Sequence, residues 1–391
     1  MNIDARSIID APQLRSAAEQ LRPDADPGEV VARAAWSVLL EPGDGVAGAL
    51  IAVHGAVAAL QLALGEPGLL VPEEISPRAL ADARSRWHPR AKAEAVKEAL
   101  SSCREVGGQI LLPDDEDWPR GLDDLGAHAP QVLWARGDPG VLHEGATASI
   151  VGARAATGYG ESVAAEIAGD LASSGTTIIS GGAYGIDGAA HRAALGSGGK
   201  TAAFLAGGVD RAYPIGHQQL FDRIRASGVV MSEVPCGGAP TKWRFLQRNR
   251  LIAASGMATV VVEAGWRSGS LNTAGHAAAL GRPIGAVPGP VTSAASAGCH
   301  RLLREYDAVC VTNAQEVREL WGEQPDPASA AVRADPEQIR LLDALSSRAP
   351  RETAELARRS GLAMDRVRSL LGLLALDGAV TQHERGWQRT P

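Results

Sequence analysis

One short run of basic and aromatic residues is the part of the sequence best suited to binding a ligand. Residues 241–250 read TKWRFLQRNR, and no acidic residue occurs between Glu233 and Glu263. Cations that follow a phosphate backbone, beside rings that stack on bases, are typical of single-strand binding. The cations are Lys242, Arg244, Arg248 and Arg250, and the rings are Trp243 and Phe245. The alternative interpretation is a solvated helix face with a buried ring.

A glycine turn could hold a phosphate. Gly152-Ala153-Arg154 follows an apolar segment, and TGYG at 157–160 precedes a helical one. Glycine lets a backbone approach a phosphate closely, helix N-termini attract anions, and Arg154 could donate to a phosphate from two nitrogens. The turn matches neither the G-x-G-x-x-G fingerprint nor a Walker A loop. Taken alone, it is more simply a tight turn with a surface arginine.

Two further turns have the same character. Residues 180–187 read SGGAYGID, and 268–274 read SGSLNTA at the start of a helical segment. Both could present backbone N–H groups to an anion. The candidate residues in them are Ser180, Gly181, Gly182, Ser268, Gly269 and Ser270.

Asp187 and His191 lie four residues apart on one predicted helix face. One interpretation is a functional acid–imidazole pair. The other, which we favour, is that Asp187 caps the helix and His191 has a structural role. No catalytic residue is predicted.

Composition limits the partners. The 391 residues carry a formal net charge of −7, so a nucleic-acid site must be a local basic patch. The four cysteines form no C-x-x-C pair, which predicts free thiols, no metal site and no cofactor. The N-terminus does not resemble a signal peptide, and the apolar run 46–64 predicts a buried helix pair instead of a membrane span. We therefore expect a cytoplasmic protein with no membrane partner.

The centre of the chain alternates apolar segments, glycine turns and helical segments. This rhythm predicts an α/β fold with a parallel sheet between helices, whose ligands bind beyond the carboxyl ends of the strands. Two short strands are also predicted at 110–112 and 132–134. The predicted central strands are 148–151, 177–180, 201–206, 229–232, 258–263, 284–287 and 308–311.

The flanking segments predict further domains. Residues 1–75 are predicted to form a small helical domain and 76–104 a helical linker before a central domain at 105–321. Residues 322–335 are rich in Pro and Ala and predict a linker. Residues 336–388 predict three helices and a hairpin, the outline of a winged helix that binds DNA or another protein.

Several ordered motifs together carry a resemblance to one family. VGAR-x-x-TGYG, SGGAYGIDGAAH, GGVDRAYP, SEVP, F-x-x-RNR, VVVEA, SGSLNTA and VPGP occur in this order. The set is similar to the DNA-processing protein A (DprA/Smf) family over roughly residues 105–315. The early helices resemble the family's sterile-alpha-motif-like domain, and the tail resembles its winged helix.

The resemblance implies an extended Rossmann-like fold and a protein without enzymatic activity. It implies binding of single-stranded DNA, dimerisation near helix 313–320 and its preceding strand, and loading of RecA in natural transformation, with single-strand-binding protein as a further partner. Arg154 and Lys242 would hold phosphates, and Phe245 would stack on a base. Gly152, Ser180, Gly181, Gly182, Arg248, Asn249, Arg250, Ser268, Gly269 and Ser270 match the rest of the family's site.

The chain departs from the family pattern at several positions. Leu246 stands where proline is frequent, and Ile215 where lysine often follows Tyr-Pro. His217 and the 298–300 turn (GCH) also differ. The loss of a lysine at 215 removes one expected phosphate contact.

Two other functions remain open from the sequence. A phosphoribohydrolase-like enzyme or nucleotide sensor would suit the Rossmann-like fold, but the loop glutamate that hydrolysis needs has no counterpart in SGSLNTAGH. A regulator of duplex DNA could act through the winged helix. Its arginines 358, 359, 366 and 368 are offset by Glu352, Glu355 and Asp365.

Overall fold

The computed structural model describes residues 5–66, 70–324, 336–376 and 378–390. The chain forms two compact units, Met1–Glu323 and Gln324–Pro391. Of the predicted linker 322–335, residues 325–335 lie outside the described part. The other predicted domain limits stay predictions.

Six helices precede the sheet of the first unit. Aspartate or serine side chains cap three of them by accepting from backbone N–H groups: Asp26 in α3, Asp44 in α4 and Ser76 in α5. The six are α1 (Arg6–Ile9), α2 (Pro12–Leu21), α3 (Pro27–Leu39), α4 (Gly45–Ala63), α5 (Pro77–Trp87) and α6 (Ala93–Glu105). The buried side chains of 76–104, the segment predicted as a linker, belong to the same apolar cluster as those of α3 and α4.

Helix α4 is interrupted at one residue. Gly55 has φ 76° and ψ 165°, a conformation that breaks the helix into two pieces and that glycine tolerates. Within the described residues, α4 alone is long and apolar enough to cross a membrane, and half of its apolar window is buried inside the protein. This agrees with the helix pair predicted for 46–64.

A nine-stranded sheet forms the centre of the unit, in the order β1-β2-β6-β5-β4-β3-β7-β8-β9. Strands β3 to β9 are parallel, whereas β2 pairs antiparallel with β6 and with β1. The strands are β1 (Gln109–Leu111), β2 (Leu133–Gly137), β3 (Thr147–Val151), β4 (Thr177–Ser180), β5 (Thr201–Phe204), β6 (Val229–Ser232), β7 (Ala258–Val261), β8 (Ile284–Ala286) and β9 (Val309–Cys310).

Helices cover both faces of the sheet. Helices α7, α8 and α13 share one apolar cluster with the sheet, and α10, α11 and α12 share another. The helices are α7 (Gly158–Ser173), α8 (Ile186–Gly196), α9 (Gln218–Ser227), α10 (Lys242–Ser255), α11 (Ser270–Ala279), α12 (Ala297–Glu305) and α13 (Ala314–Glu319). Short 3₁₀ turns occupy His88–Arg90, Arg120–His128, Pro139–Leu142, Ile215–His217 and Ala294–Ser296.

The predicted α/β class and parallel central sheet are confirmed. The sequence did not show that β1 and β2 extend this sheet as antiparallel strands. Strand order reverses between β3 and β7, since β3 to β6 extend one way and β7 to β9 the other. The loops after β3 and β7 therefore separate to opposite faces and leave a crevice between them.

The second unit has its own core. Its helices are α14 (Pro336–Ala344), α15 (Thr353–Ser360) and α16 (Met364–Leu376), followed by the antiparallel hairpin β10 (Val380–His383) and β11 (Gly386–Arg389). Leu341, Leu356, Val367 and Leu371 are fully buried in it. Three helices followed by a hairpin are the predicted winged-helix outline.

Candidate nucleic-acid interface

A cavity of about 670 Å³ lies at the carboxyl edge of the sheet, at the reversal point. Three chain segments surround it: the turn after β3, the first two turns of α10, and the turn before α11. Its lining includes Gly152, Ala153, Arg154, Ala183, Asp187, Tyr213, Thr241, Lys242, Phe245, Arg248, Asn249, Ser268, Gly269, Ser270 and Thr273. The structure thus brings together most of the residues that the sequence singled out.

Two cations at this cavity face solvent. Arg154 and Lys242 are both exposed. Lys242 begins α10, where Thr241 caps the helix by accepting from the Arg244 N–H. The structure shows a local basic site in a protein of net negative charge.

Phe245 is already covered by neighbouring side chains. The Arg154 guanidinium lies 4.6 Å from the ring centroid, and the Tyr213 ring is 5.3 Å away at an interplanar angle of 53°. Phe245 is half-buried, whereas Tyr213 is 46% exposed. Tyr213 is the residue that sequence reasoning missed: it is the ring at the cavity most open to a base. Its position in GGVDRAYP, on the loop after β5, was the available signal.

Arg248 lines the cavity, but its hydrogen bonds are made within the protein. Its Nη1 donates to the carbonyl oxygens of Gly181 (2.6 Å) and Phe204 (2.7 Å), and the residue is 6% exposed. Burial lowers the pKa of this guanidinium to about 10, while nearby Asp187 acts in the opposite direction. Among the described residues its Nε has no hydrogen-bond partner.

Arg250 does not reach the cavity. It donates to the carbonyl oxygen of His128 (3.0 Å) and forms a buried ion pair with Glu233 (2.8 Å). Its side chain is 3% exposed, so in this arrangement the guanidinium is not available for the predicted phosphate contact. The ion pair with Glu233 and the hydrogen bond to His128 hold it away from the cavity.

Asn249 connects α10 to the turn before α11. Its Nδ2 donates to the carbonyl oxygen of Gly269 (3.3 Å) and to Asn272 Oδ1 (3.2 Å). In that turn the hydroxyls of Ser268 and Ser270 lie 2.8 Å apart, and α11 begins at Ser270. This turn is the one predicted glycine cradle whose backbone lines the cavity next to a helix N-terminus.

The SGG segment after β4 packs inside the protein. Ser180 is fully buried and donates to the Ile150 carbonyl oxygen (2.6 Å). A Cβ on Gly181 would lie 1.8 Å from Arg248 Nη1, so glycine here permits the approach of the arginine. Gly182 has φ +66° and borders Phe221. None of the three lines the cavity, so this arrangement gives no support to the predicted backbone cradle at 180–182.

An internal carboxylate occupies the start of α7. Glu263 is 2% exposed and accepts from the Thr157 N–H (2.8 Å) and hydroxyl (2.7 Å). A Cβ on Gly160 would lie 2.5 Å from its Oε2. Glu263 thus holds Thr157, whose own hydroxyl caps α7 by accepting from the Gly160 N–H (3.2 Å). In this way Glu263 holds the loop that presents Arg154.

Asp187 and His191 do not act as a pair. Asp187 Oδ2 accepts from the N–H groups of Gly181 (3.2 Å) and Ala183 (3.3 Å), so it closes the preceding turn and does not cap α8, whose N-cap is Gly185. His191 is fully buried, and its Nδ1 lies 2.7 Å from the Thr201 hydroxyl. Burial lowers the pKa of His191 to about 3, so it is neutral at physiological pH. Its predicted structural role is supported by these contacts.

Two departures from the family pattern are visible at the surface. Ile215 is 82% exposed and Leu246 is 37% exposed. His217 is buried, with Nδ1 3.0 Å from the Gly182 carbonyl oxygen.

No group of three or more His, Cys, Asp or Glu side chains within the described ranges could hold a metal ion.

Three of the four arginines considered for duplex binding lie close to acids. Arg359 contacts Glu355 (2.8 Å) and Arg368 contacts Asp365 (3.5 Å). Arg366 contacts Glu337. This pairing offsets part of the positive charge that a duplex backbone would need.

Comparison with known proteins places the chain in a family. The profile described as DNA recombination-mediator protein A matches residues 109–322, and that of the DprA winged helix domain matches 324–386. A putative DNA processing protein DprA of Mycobacterium tuberculosis is 45% identical over 318 residues, which cover 76% of this chain and 81% of the relative. The DNA processing protein DprA of Bacillus subtilis is 32% identical, covering 63% and 81%.

Two solved structures of DNA processing protein A are similar to this chain. DNA processing protein A of Streptococcus pneumoniae is 29% identical with a TM-score of 0.62, covering 76% of this chain and 98% of that chain. A Helicobacter pylori structure, 29% identical with a TM-score of 0.50, covers 54% and 94%, and is described by its single-stranded DNA binding mode. From its ordered motifs, its sheet and both matched domains, the chain belongs to the DNA recombination-mediator protein A (DprA/Smf) family.

Proposed function

We propose that this protein binds single-stranded DNA without sequence specificity at the carboxyl edge of its sheet. The observation that carries the proposal is the cavity where Arg154 and Lys242 are exposed beside Tyr213 and Phe245. Exposed cations suit phosphates, and rings suit bases of any identity. The related H. pylori protein, described as binding single-stranded DNA, supports the same ligand class.

The proposed role is binding, and we propose no catalysis. The acids nearest the cavity, Asp187 and Glu263, are buried and accept from backbone N–H groups. Burial also raises the pKa of Asp187. A general acid or base must reach the substrate, and these two carboxylates instead hold the loops in place.

A titration tests the binding proposal. Fluorescein-labelled oligo-dT and a duplex of equal length are each titrated with the protein at several salt concentrations. We expect tighter binding of the single strand, with an affinity that falls as salt rises, because phosphate contacts release counterions. Equal affinity for both DNAs, or binding independent of salt, would show that the cavity serves another ligand, and a nucleotide would then be the next candidate.

We further propose that the bound strand is handed to RecA during transformation, in the cytoplasm, with single-strand-binding protein as a second partner. The family membership supports this role. Assembly of RecA filaments on single strands coated with single-strand-binding protein is the measurement, and an unchanged assembly rate in the presence of this protein would contradict it.

We propose a homodimer formed through the β9 edge of the sheet. Both residues of β9 are exposed, Val309 to 51%, and Tyr306 beside them is 39% exposed. An open strand edge with apolar side chains readily pairs with a second copy about a two-fold axis.

Val309→Lys is expected to convert the dimer into a monomer, because a charge would be buried at the contact. Light scattering after size-exclusion chromatography measures the mass. The control is Val291→Lys, at a loop residue 89% exposed, which should remain dimeric. A Val309→Lys protein that stays dimeric would place the interface elsewhere.

A further inference from the structure

Five neighbouring parallel strands are each followed by one exposed aromatic ring. In the spatial order β6, β5, β4, β3 and β7, the rings are Trp243, Tyr213, Tyr184, Tyr159 and Trp266. Each is between 46% and 57% exposed. Because the carboxyl ends of parallel strands meet at one edge, the segments that carry these rings all leave the sheet at the edge where the cavity lies.

This placement is not a general property of the chain's aromatics. Only 4% of the residues are aromatic, and four of the eight tryptophans, Trp36, Trp87, Trp118 and Trp134, are fully buried. Among the described residues, one other aromatic, Tyr306, is exposed to a comparable degree. Rings usually contribute to stability by burial, so a concentration of exposed rings on one edge indicates a ligand that covers them.

Neighbouring groups hold several of these rings in place. The Tyr159 hydroxyl donates to the Pro288 carbonyl oxygen (2.6 Å), and the Tyr184 ring stands edge-on to His217 at 4.8 Å. The Arg301 guanidinium lies 5.2 Å from the Trp266 centroid. A ring fixed before binding loses less conformational entropy when a base stacks on it.

Charge along the same loops favours an anionic ligand. Exposed cations follow four of the five strands: Arg154, Arg211, Lys242 and Arg267. Of the acids in these loops, Asp187 and Glu263 are buried, whereas the Asp210 carboxylate lies 3.3 Å from Arg211 and offsets its charge. Glu161, in the first turn of α7, is exposed.

We propose that single-stranded DNA crosses the whole carboxyl edge, from Trp243 at β6 to Trp266 at β7, with bases stacking on successive rings. This inference rests on the proposed function and extends it from one cavity to a continuous track. Four strand intervals of about 4.8 Å give a track of roughly 19 Å at the level of the sheet. Such a path requires several nucleotides and tolerates any sequence, because every base has a stacking face.

The test removes the two ends of the track. Trp243→Ala and Trp266→Ala are made separately and together, and Kd is measured for oligo-dT of increasing length. Each single variant is expected to weaken binding of long oligonucleotides roughly tenfold, the loss of about one stacked base. Oligonucleotides short enough to occupy the central cavity alone should bind as they do to the unaltered protein. The length at which affinity stops rising should therefore decrease.

The matched control is Met257→Ala. Met257 is 43% exposed and precedes β7 at the opposite, amino edge of the sheet, so its loss should change no Kd. Thermal melting and circular dichroism of all variants verify that they fold.

The outcomes separate the two proposals. If the unaltered protein prefers single strands while both tryptophan variants bind every length as it does, the track is wrong and the cavity alone is the site. If the unaltered protein shows no preference for single strands, the proposed function itself fails. A loss at all lengths, including the shortest, would also contradict a track with separable ends.

Discussion

Replacing Arg154 and Lys242 together by alanine is expected to weaken single-strand binding by at least about 100-fold, because each is a charge-assisted contact of roughly 1.5 kcal/mol or more. Both are exposed at the cavity, and the Arg154 guanidinium also covers Phe245. The dependence of log K on log salt should become shallower by about 1.4, or roughly 0.7 for each phosphate contact on a single strand. Oligo-dT titrations at several salt concentrations measure both effects.

A double variant of equal charge controls for long-range electrostatics. Lys97 and Arg104 are exposed on α6, which ends just before β1 at the amino edge of the sheet. Lys97→Ala/Arg104→Ala should leave the Kd within about twofold, since surface charges away from the site are screened. A similar loss in both double variants would mean that net charge, and not this cavity, governs binding.

Arg248→Ala is expected to destabilise the first unit by about 3–5 kcal/mol, the usual effect of removing one partner from a buried charged network. Two carbonyl oxygens, those of Gly181 and Phe204, would lose their donor, and the buried Asp187 would lose a neighbouring positive charge. The lost side chain would also leave a void against Gly181, whose missing Cβ now makes room for it. Urea unfolding followed by circular dichroism measures the change.

Arg154→Ala provides the comparison, because an exposed arginine can be removed with little change in stability. It should lose DNA binding and keep its unfolding midpoint, whereas Arg248→Ala should shift the midpoint strongly. If Arg248→Ala instead unfolded like the unaltered protein and lost only DNA binding, Arg248 would be the DNA ligand that the sequence suggested.

The alternation of apolar segments and glycine turns was sufficient to predict the parallel sheet. Each of the seven predicted central strands coincides with one observed strand, because period and turn chemistry are local properties. The pairing of β2 with β1 and with β6 was not predictable in the same way. Trp134 and Ser232 face each other across 98 residues of chain, and nothing in either segment specifies that register.

In the helical run 46–64, a single residue decides whether the segment forms one helix or two. Its composition fits a long apolar helix, but Gly55 adopts a positive φ and divides it. A glycine in a sequence permits this conformation without requiring it.

The sequence by itself determined the sheet, the turns at its carboxyl edge and the family, because ordered motifs and local periodicity can be recognised without knowledge of the packing. It also determined that α10 would bring cations and rings to that edge. Only the tertiary structure decided which of them face the ligand. Arg248 meets Gly181, Arg250 meets Glu233 and His128, and Glu263 meets Thr157, all over separations of 17 to 122 residues. Whether a side chain is buried depends on such distant partners, so both arginines of the RNR motif are buried within the protein while Arg154, on another loop, is exposed.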